Sequence, residues 1–162
     1  MSELEITSQL RTIFSLLVNQ LVEMQALLQQ EHLALTKNEI DNITALAKHK
    51  EKLSQHIEYQ ESLRRSLLEK YQLPFGRKSL EILSRHMPKT ITLELLHAWD
   101  KVVSLSRDCA TKNQINGIVL THQQRRIQTV LRILRGQGEY TEIYSSSGNK
   151  QEQFKQTILA RI

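Results

Sequence analysis

The sequence predicts an all-α fold: an elongated antiparallel bundle or coiled coil of three long helices and one short one, ending in a flexible or weakly helical tail. Three observations carry this. The 162 residues include only five glycines and two prolines, so turns are scarce and helix formers abound. Aromatic residues make up 5%, which leaves the core to Leu and Ile, the composition of coiled-coil seams. Apolar residues recur three and four apart over long stretches, the period of a helix buried along one face. The length allows one domain with an appendage, and the expected division is a helical core at 1–136 and a tail at 137–162.

The first helix is read from Ile6, Leu10, Ile13, Leu17, Leu21, Met24 and Leu28, which follow one another at intervals of three or four among Gln and Glu. Leu35 is expected to end it. Thr36–Glu39 then fits a capping box, in which the hydroxyl accepts from the amide of residue 39 and the carboxylate reaches back to the amide of residue 36. A second helix follows with Ile43, Leu46, Leu53, Ile57, Leu67 and Tyr71 on its buried side. It stops at "QLPFG", because Pro74 disfavours helix at Leu73 and Gly76 frees the next turn. "RKSLEILSRHM" is a short third helix that ends before Pro88.

From Lys89 nothing breaks the helix until Gly136 except Asn116-Gly117, a strong turn signal. Ile91, Leu95, Trp99 and Val102 recur before the pair, and Leu120, Ile127, Leu131 and Leu134 after it. No alternating strands flank the pair, and "INGIVL" supplies no helix cap. The expectation is one helix of about 47 residues, roughly 70 Å long, with the pair inside it. Ser106, Cys109, Asn113, Asn116 and Gly117 form a small, polar strip on that helix. Two readings of the strip stand open: close helix packing, with Gly117 admitting a neighbour, or a functional polar groove. Under the first, a bulky residue at 117 is expected to destabilise the bundle.

After Leu134 the character changes to two glycines and a serine run, followed by an amphipathic end. There Phe154, Ile158 and Ile162 are four apart and Leu159 lies beside them. A segment of about 12 residues cannot hold a helix alone in water. It orders either against a partner or against its own core.

The formal net charge is +5, which favours acidic partners without naming their kind. Between Asp108 and Glu139 there is no acid, while Lys112, Arg125, Arg126, Arg132 and Arg135 are basic. The helix dipole accounts for cations near a helix end; a site for an acidic partner or nucleic acid is the alternative. A single cysteine, Cys109, excludes an internal disulfide and a cysteine metal cluster, so a reducing compartment is expected. The start, "MSELEITSQL", lacks the basic region of a signal peptide. The protein is therefore expected to be soluble and cytoplasmic.

Six histidines prompt a search for metal ligands. Glu94-x-x-His97 has the spacing of half a di-iron carboxylate site, but such bundles need a second copy and further Glu, and none is present. His49 and His56 stand seven apart, about 10 Å along a helix, too far to share one ion. No HExxH, phosphate loop or nucleophile motif occurs. No catalytic residue, metal or cofactor is expected, and enzymatic activity is not.

With these residues laid out, the chain resembles the FlgN family of flagellar type III export chaperones. Lys50-x-x-Leu53 is similar to that family's Lys-x-x-Leu signal, "NQINGIVL" at 113–120 to its Asn-x-x-Asn-Gly element, and "IYSSSG" at 143–148 to its Tyr-x-x-x-Gly element. The three occur in the family's order across most of the chain, and the ordered set carries the resemblance more than any one motif. It implies a helical bundle without enzymatic activity that binds the C-terminal helices of hook–filament junction proteins and delivers them to the export gate. On this reading Ile143, Phe154, Ile158, Leu159 and Ile162 are candidates for client binding, and Tyr144 for gate docking, with Tyr140 as a substitute. A structural coiled-coil scaffold and a nucleic-acid-associated protein are the other classes. The first would make the tail dispensable; the second would bind through the Arg cluster in a salt-sensitive way.

Overall fold

The chain folds as four helices in the order α1 (Glu3–Lys37), α2 (Ile40–Lys70), α3 (Arg77–Leu83) and α4 (Lys89–Leu134). The computed structural model describes residues 5–136, together with the backbone of 3–4, 143–144 and 150–151. These are distributed over two units, Met1–Leu120 and Thr121–Ile162.

In the first unit α1 is the most deeply buried helix. Ile6, Leu10, Ile13, Phe14, Leu17, Leu21, Met24, Leu27 and Leu28 all lie in the core, because its apolar residues repeat with helical period along one broad stripe. The helix runs through Leu35 to Lys37, and the expected capping box does not form. Thr36 is still helical and its hydroxyl donates to the Leu33 carbonyl at 2.8 Å. Asn38 takes the left-handed conformation (φ 58°) instead. The Glu39 amide then donates to the Ala34 carbonyl at 3.0 Å and the Asn38 amide to the Leu35 carbonyl at 3.2 Å. This is a Schellman closure with Asn in the position usually held by Gly. The competing signal that won was Asn38, one of the few residue types that tolerates a positive φ. Glu39 caps α2 without a side-chain bond, its carboxylate accepting from Asn42 at 3.0 Å.

The second corner is built the same way. Gln72 has φ 53°, the Leu73 amide donates to the Leu68 carbonyl at 2.9 Å and the Gln72 amide to the Glu69 carbonyl at 2.9 Å. Gly76, at φ 87°, then starts α3, which buries Ser79, Leu80 and Leu83. α3 is shorter than the sequence suggested, stopping at Leu83 ahead of Pro88.

α2 returns antiparallel to α1: Lys50 meets Glu31 at one end, while Ser8 and Thr12 face Ser66 and Lys70 across a shallow groove at the other. α4 then runs parallel to α1, with Glu94 against Arg11, Cys109 against the Leu21 carbonyl and Asn116 against the Leu28 carbonyl. The Asn116-Gly117 pair sits inside one continuous α4. Near the start of α4, Phe14 and Trp99 pack with ring centroids 5.8 Å apart. The guanidinium of Arg64 covers Trp99 at 5.0 Å while two 2.7 Å hydrogen bonds to Glu61 hold it in place.

The second unit contains the end of α4 and a two-residue antiparallel ladder, β1 (Ile143–Tyr144) with β2 (Lys150–Gln151), in which Ile143 stands opposite Gln151 and Tyr144 opposite Lys150. The sequence reading of the tail as flexible or weakly helical had no strand at these positions. Among the described residues no helix is long and apolar enough to cross a membrane.

Candidate functional site

Two features stand out, one in each unit. The first is a buried polar junction where α1, α2 and α4 meet. Glu31 interrupts the apolar seam of α1, one turn after Leu28, and is 6% exposed. Burying a carboxylate costs free energy unless its oxygens are bonded, and here both are. Lys50 on α2 donates to Oε1 at 2.6 Å, and the Asn116 amide on α4 donates to Oε2 at 2.9 Å. Asn116 is itself 4% exposed, and both of its N–H donors and its oxygen are engaged. Its second N–H bond goes to the Leu28 carbonyl at 2.8 Å, and its oxygen accepts from His32 Nδ1 at 3.0 Å. Lys50 also reaches the Asn113 side-chain oxygen at 3.2 Å. The lysine of Lys-x-x-Leu is thus tied to the second asparagine of Asn-x-x-Asn-Gly through the Glu31 carboxylate and to the first directly.

The residues that the sequence reading missed are Glu31 and His32. The signal for Glu31 was available: an acid in a position of the α1 stripe that otherwise holds Leu or Met. The polar strip of α4 divides in the structure. Cys109 and Asn116 are buried, whereas Ser106, Asn113 and Gly117 are exposed. Burial raises the Cys109 thiol pKa, with Lys112 opposing and Asp108 adding to the effect, and its Sγ points at the Leu21 carbonyl at 3.5 Å. Gly117 does not serve a close crossing. A Cβ placed there would meet nothing within 4 Å, because its position on the helix points away from α1 and α2 while Asn116 takes the inward one.

Glu94 of the Glu-x-x-His pair is engaged by Arg11, whose hydrogen bond lowers its carboxyl pKa. Among the described residues no three His, Cys, Asp or Glu side chains converge as metal ligands.

The second feature lies on α4 within the second unit. Ile127, Val130, Leu131, Ile133 and Leu134 are 59%, 52%, 43%, 37% and 69% exposed, a concentration of aliphatic surface on one helix of a kind that marks interaction sites. Arg125, Arg126, Arg132 and Arg135 are exposed beside them. The seven-residue interval that joins Trp99, Ser106, Asn113 and Leu120 continues in the sequence through Ile127 and Leu134; its members are polar at Ser106 and Asn113 and aliphatic from Leu120 on. Of the residues expected to bind a client, the backbone of Ile143 lies in β1, as does that of Tyr144. Phe154, Ile158, Leu159 and Ile162 lie outside the described residues, as does Tyr140.

No similar sequence was found among curated proteins. Among solved structures, the chain is similar to a crystal structure from Pseudomonas aeruginosa described as a flagella synthesis protein FlgN, with a TM-score of 0.63 and 24% identity over 76% of this chain and 93% of that one. That likeness concerns the fold. The sequence itself matches the FlgN protein family over residues 1–152, a span that includes the lysine, the two asparagines and the carboxylate of the junction. The chain belongs to the FlgN family.

Proposed function

We propose that this chain is a cytoplasmic flagellar export chaperone that acts by binding, not by catalysis. Its clients on this reading are the C-terminal amphipathic helices of hook–filament junction proteins, held apart before secretion and carried to the type III export gate. The observation that supports it best is the exposed aliphatic face of Ile127, Val130, Leu131, Ile133 and Leu134. An amphipathic helix laid against such a face is read through anchors three, four and seven residues apart, the spacings these side chains offer. The tail residues Ile143, Phe154, Ile158, Leu159 and Ile162 extend the same chemistry further along the chain, and Tyr144 is the candidate contact to the gate.

Calorimetry with a hook–filament junction protein or its C-terminal helix tests this. Ile127→Ser with Leu134→Ser should weaken binding at least about tenfold, roughly 1.4 kcal/mol, with little change in the unfolding of the bundle. Phe154→Ala with Ile158→Ala should do the same if the tail shares the client. Unchanged affinity in both double variants would remove the reading.

A further inference from the structure

The exposed face of α4 carries a second kind of information, in its charge. From residue 109 to residue 138 the chain has five basic residues, Lys112, Arg125, Arg126, Arg132 and Arg135, and no acid. Taking those five from the chain's 22 basic residues leaves 17, against 17 acidic residues in all. The whole formal charge of the protein is therefore that of this one stretch. Its four arginines are all exposed. At 3.6 residues per turn, Arg126 and Arg135 fall one on each edge of the arc made by Ile127, Val130, Leu131, Ile133 and Leu134. Arg125 and Arg132, seven apart, fall on the opposite side.

We infer that the occupant of this face is an amphipathic helix of another protein whose flanking positions are acidic. Four occupants compete, and the charge separates them. The chain's own amphipathic end carries Lys155 and Arg161 among Phe154, Ile158, Leu159 and Ile162, and would bring like charge to the arginines. In a helix pair the flanks of the apolar seam meet across the interface and set which partner is accepted. A second copy of this chain would bring Arg126 and Arg135 against arginines, with no carboxylate anywhere in the stretch to answer them. An anionic bilayer would satisfy the charge, but an interfacial helix needs only an apolar arc. Leu120, Ile127 and Leu134 recur every seven residues, with Val130 and Leu131 between the last two, which is the spacing of a helix laid on a helix. Like charge on the chaperone and opposite charge on the partner thus make one device, which admits the client helix and refuses self-pairing.

This inference rests on the aliphatic face being a docking site, and the experiment separates the two. Two synthetic helical peptides of roughly 20 residues carry Leu at every a and d position, one with Glu and the other with Lys at e and g. Their binding to the full-length protein is followed by fluorescence anisotropy at about 50 mM and about 500 mM salt. The Glu peptide should bind at least about tenfold more tightly than the Lys peptide at low salt, and the two should converge at high salt. Arg126→Gln with Arg135→Gln should bring the preference below about threefold, while Arg125→Gln with Arg132→Gln should reduce it less. Equal binding of the two peptides, or a preference that survives Arg126→Gln with Arg135→Gln, overturns the inference. So does sedimentation of the protein alone as a dimer at the concentrations used, or retention on phosphatidylglycerol vesicles without binding of the Glu peptide. Ile127→Ser with Leu134→Ser should lose both peptides. If that variant binds both normally, the docking face itself is wrong; if it loses both while wild type ignores their charge, only the charge inference fails.

Discussion

The first unit closes α4 onto α1 and α2 in two places by different means. At one, Phe14, Trp99 and the covering Arg64 make contact through area. At the other, Glu31, Lys50, Asn116 and His32 make it through directed bonds. Apolar contact is indifferent to small shifts along a helix, since any large side chain fills the space about equally well. A buried amide that must meet a carbonyl, a carboxylate and an imidazole at once tolerates no shift of a residue either way. The comparison teaches a division of labour. Of these two contacts the aromatic one is expected to cost more to remove, beside the Leu and Ile core that α1 supplies, while the polar junction supplies the register, a use of buried polar groups best attested in helical coiled coils.

The largest effect that would break this division is at the aromatic region. Phe14 is 2% exposed, and Phe14→Ala should cost about 3–5 kcal/mol in urea unfolding. A cost no greater than that of Asn116→Ala would reverse the assignment. Asn116→Ala comes next. It leaves one oxygen of Glu31 without its donor and His32 Nδ1 without its acceptor, while the Leu28 carbonyl keeps its bond within the helix, and should cost about 1–3 kcal/mol. Amide exchange should speed up along α4 near Cys109 more than near Leu95; uniform acceleration would mean that the junction holds no particular register.

Gly117 sharpens the comparison from the other side of the helix. With open space around it, Gly117→Ala should stabilise by up to about 1 kcal/mol through helix propensity alone. A loss of stability would restore the close-packing role that the sequence suggested. The smallest effect concerns the support of Arg64. Burial pushes the Glu61 carboxyl pKa up, but hydrogen bonds and charge from Arg64 and Arg65 outweigh it and leave it below its ordinary value of 4.5. The contribution of a carboxylate whose folded pKa is lowered is present above the unfolded pKa and is lost as pH falls through the folded one. Wild type should therefore exceed Glu61→Gln in Tm at pH 7, and the gap should close on acidification below about pH 4.5. A gap that widens in acid would show that the ion pair is not what steadies the guanidinium over Trp99.

The sequence by itself determined the helices. Their apolar period, the scarcity of Gly and Pro, and the want of any cap around Asn116-Gly117 are local properties, and local properties decide whether a backbone helix can form. It also carried the motif residues Lys50, Asn113 and Asn116, though only as a string. What tertiary structure alone decided is which of these residues face one another. Helical spacing places a side chain on its own helix to within about a third of a turn, yet Asn116 and Gly117 differ by no more than that. One is buried against Glu31 and the other points to open space. The same holds for the first corner, where Thr36 and Glu39 had the right letters for a cap while Asn38, adopting a positive φ, closed the helix first. Periodicity is written along the chain, but burial and pairing depend on the rotation and offset of one helix against another, and residues more than 80 positions apart in sequence settle them together.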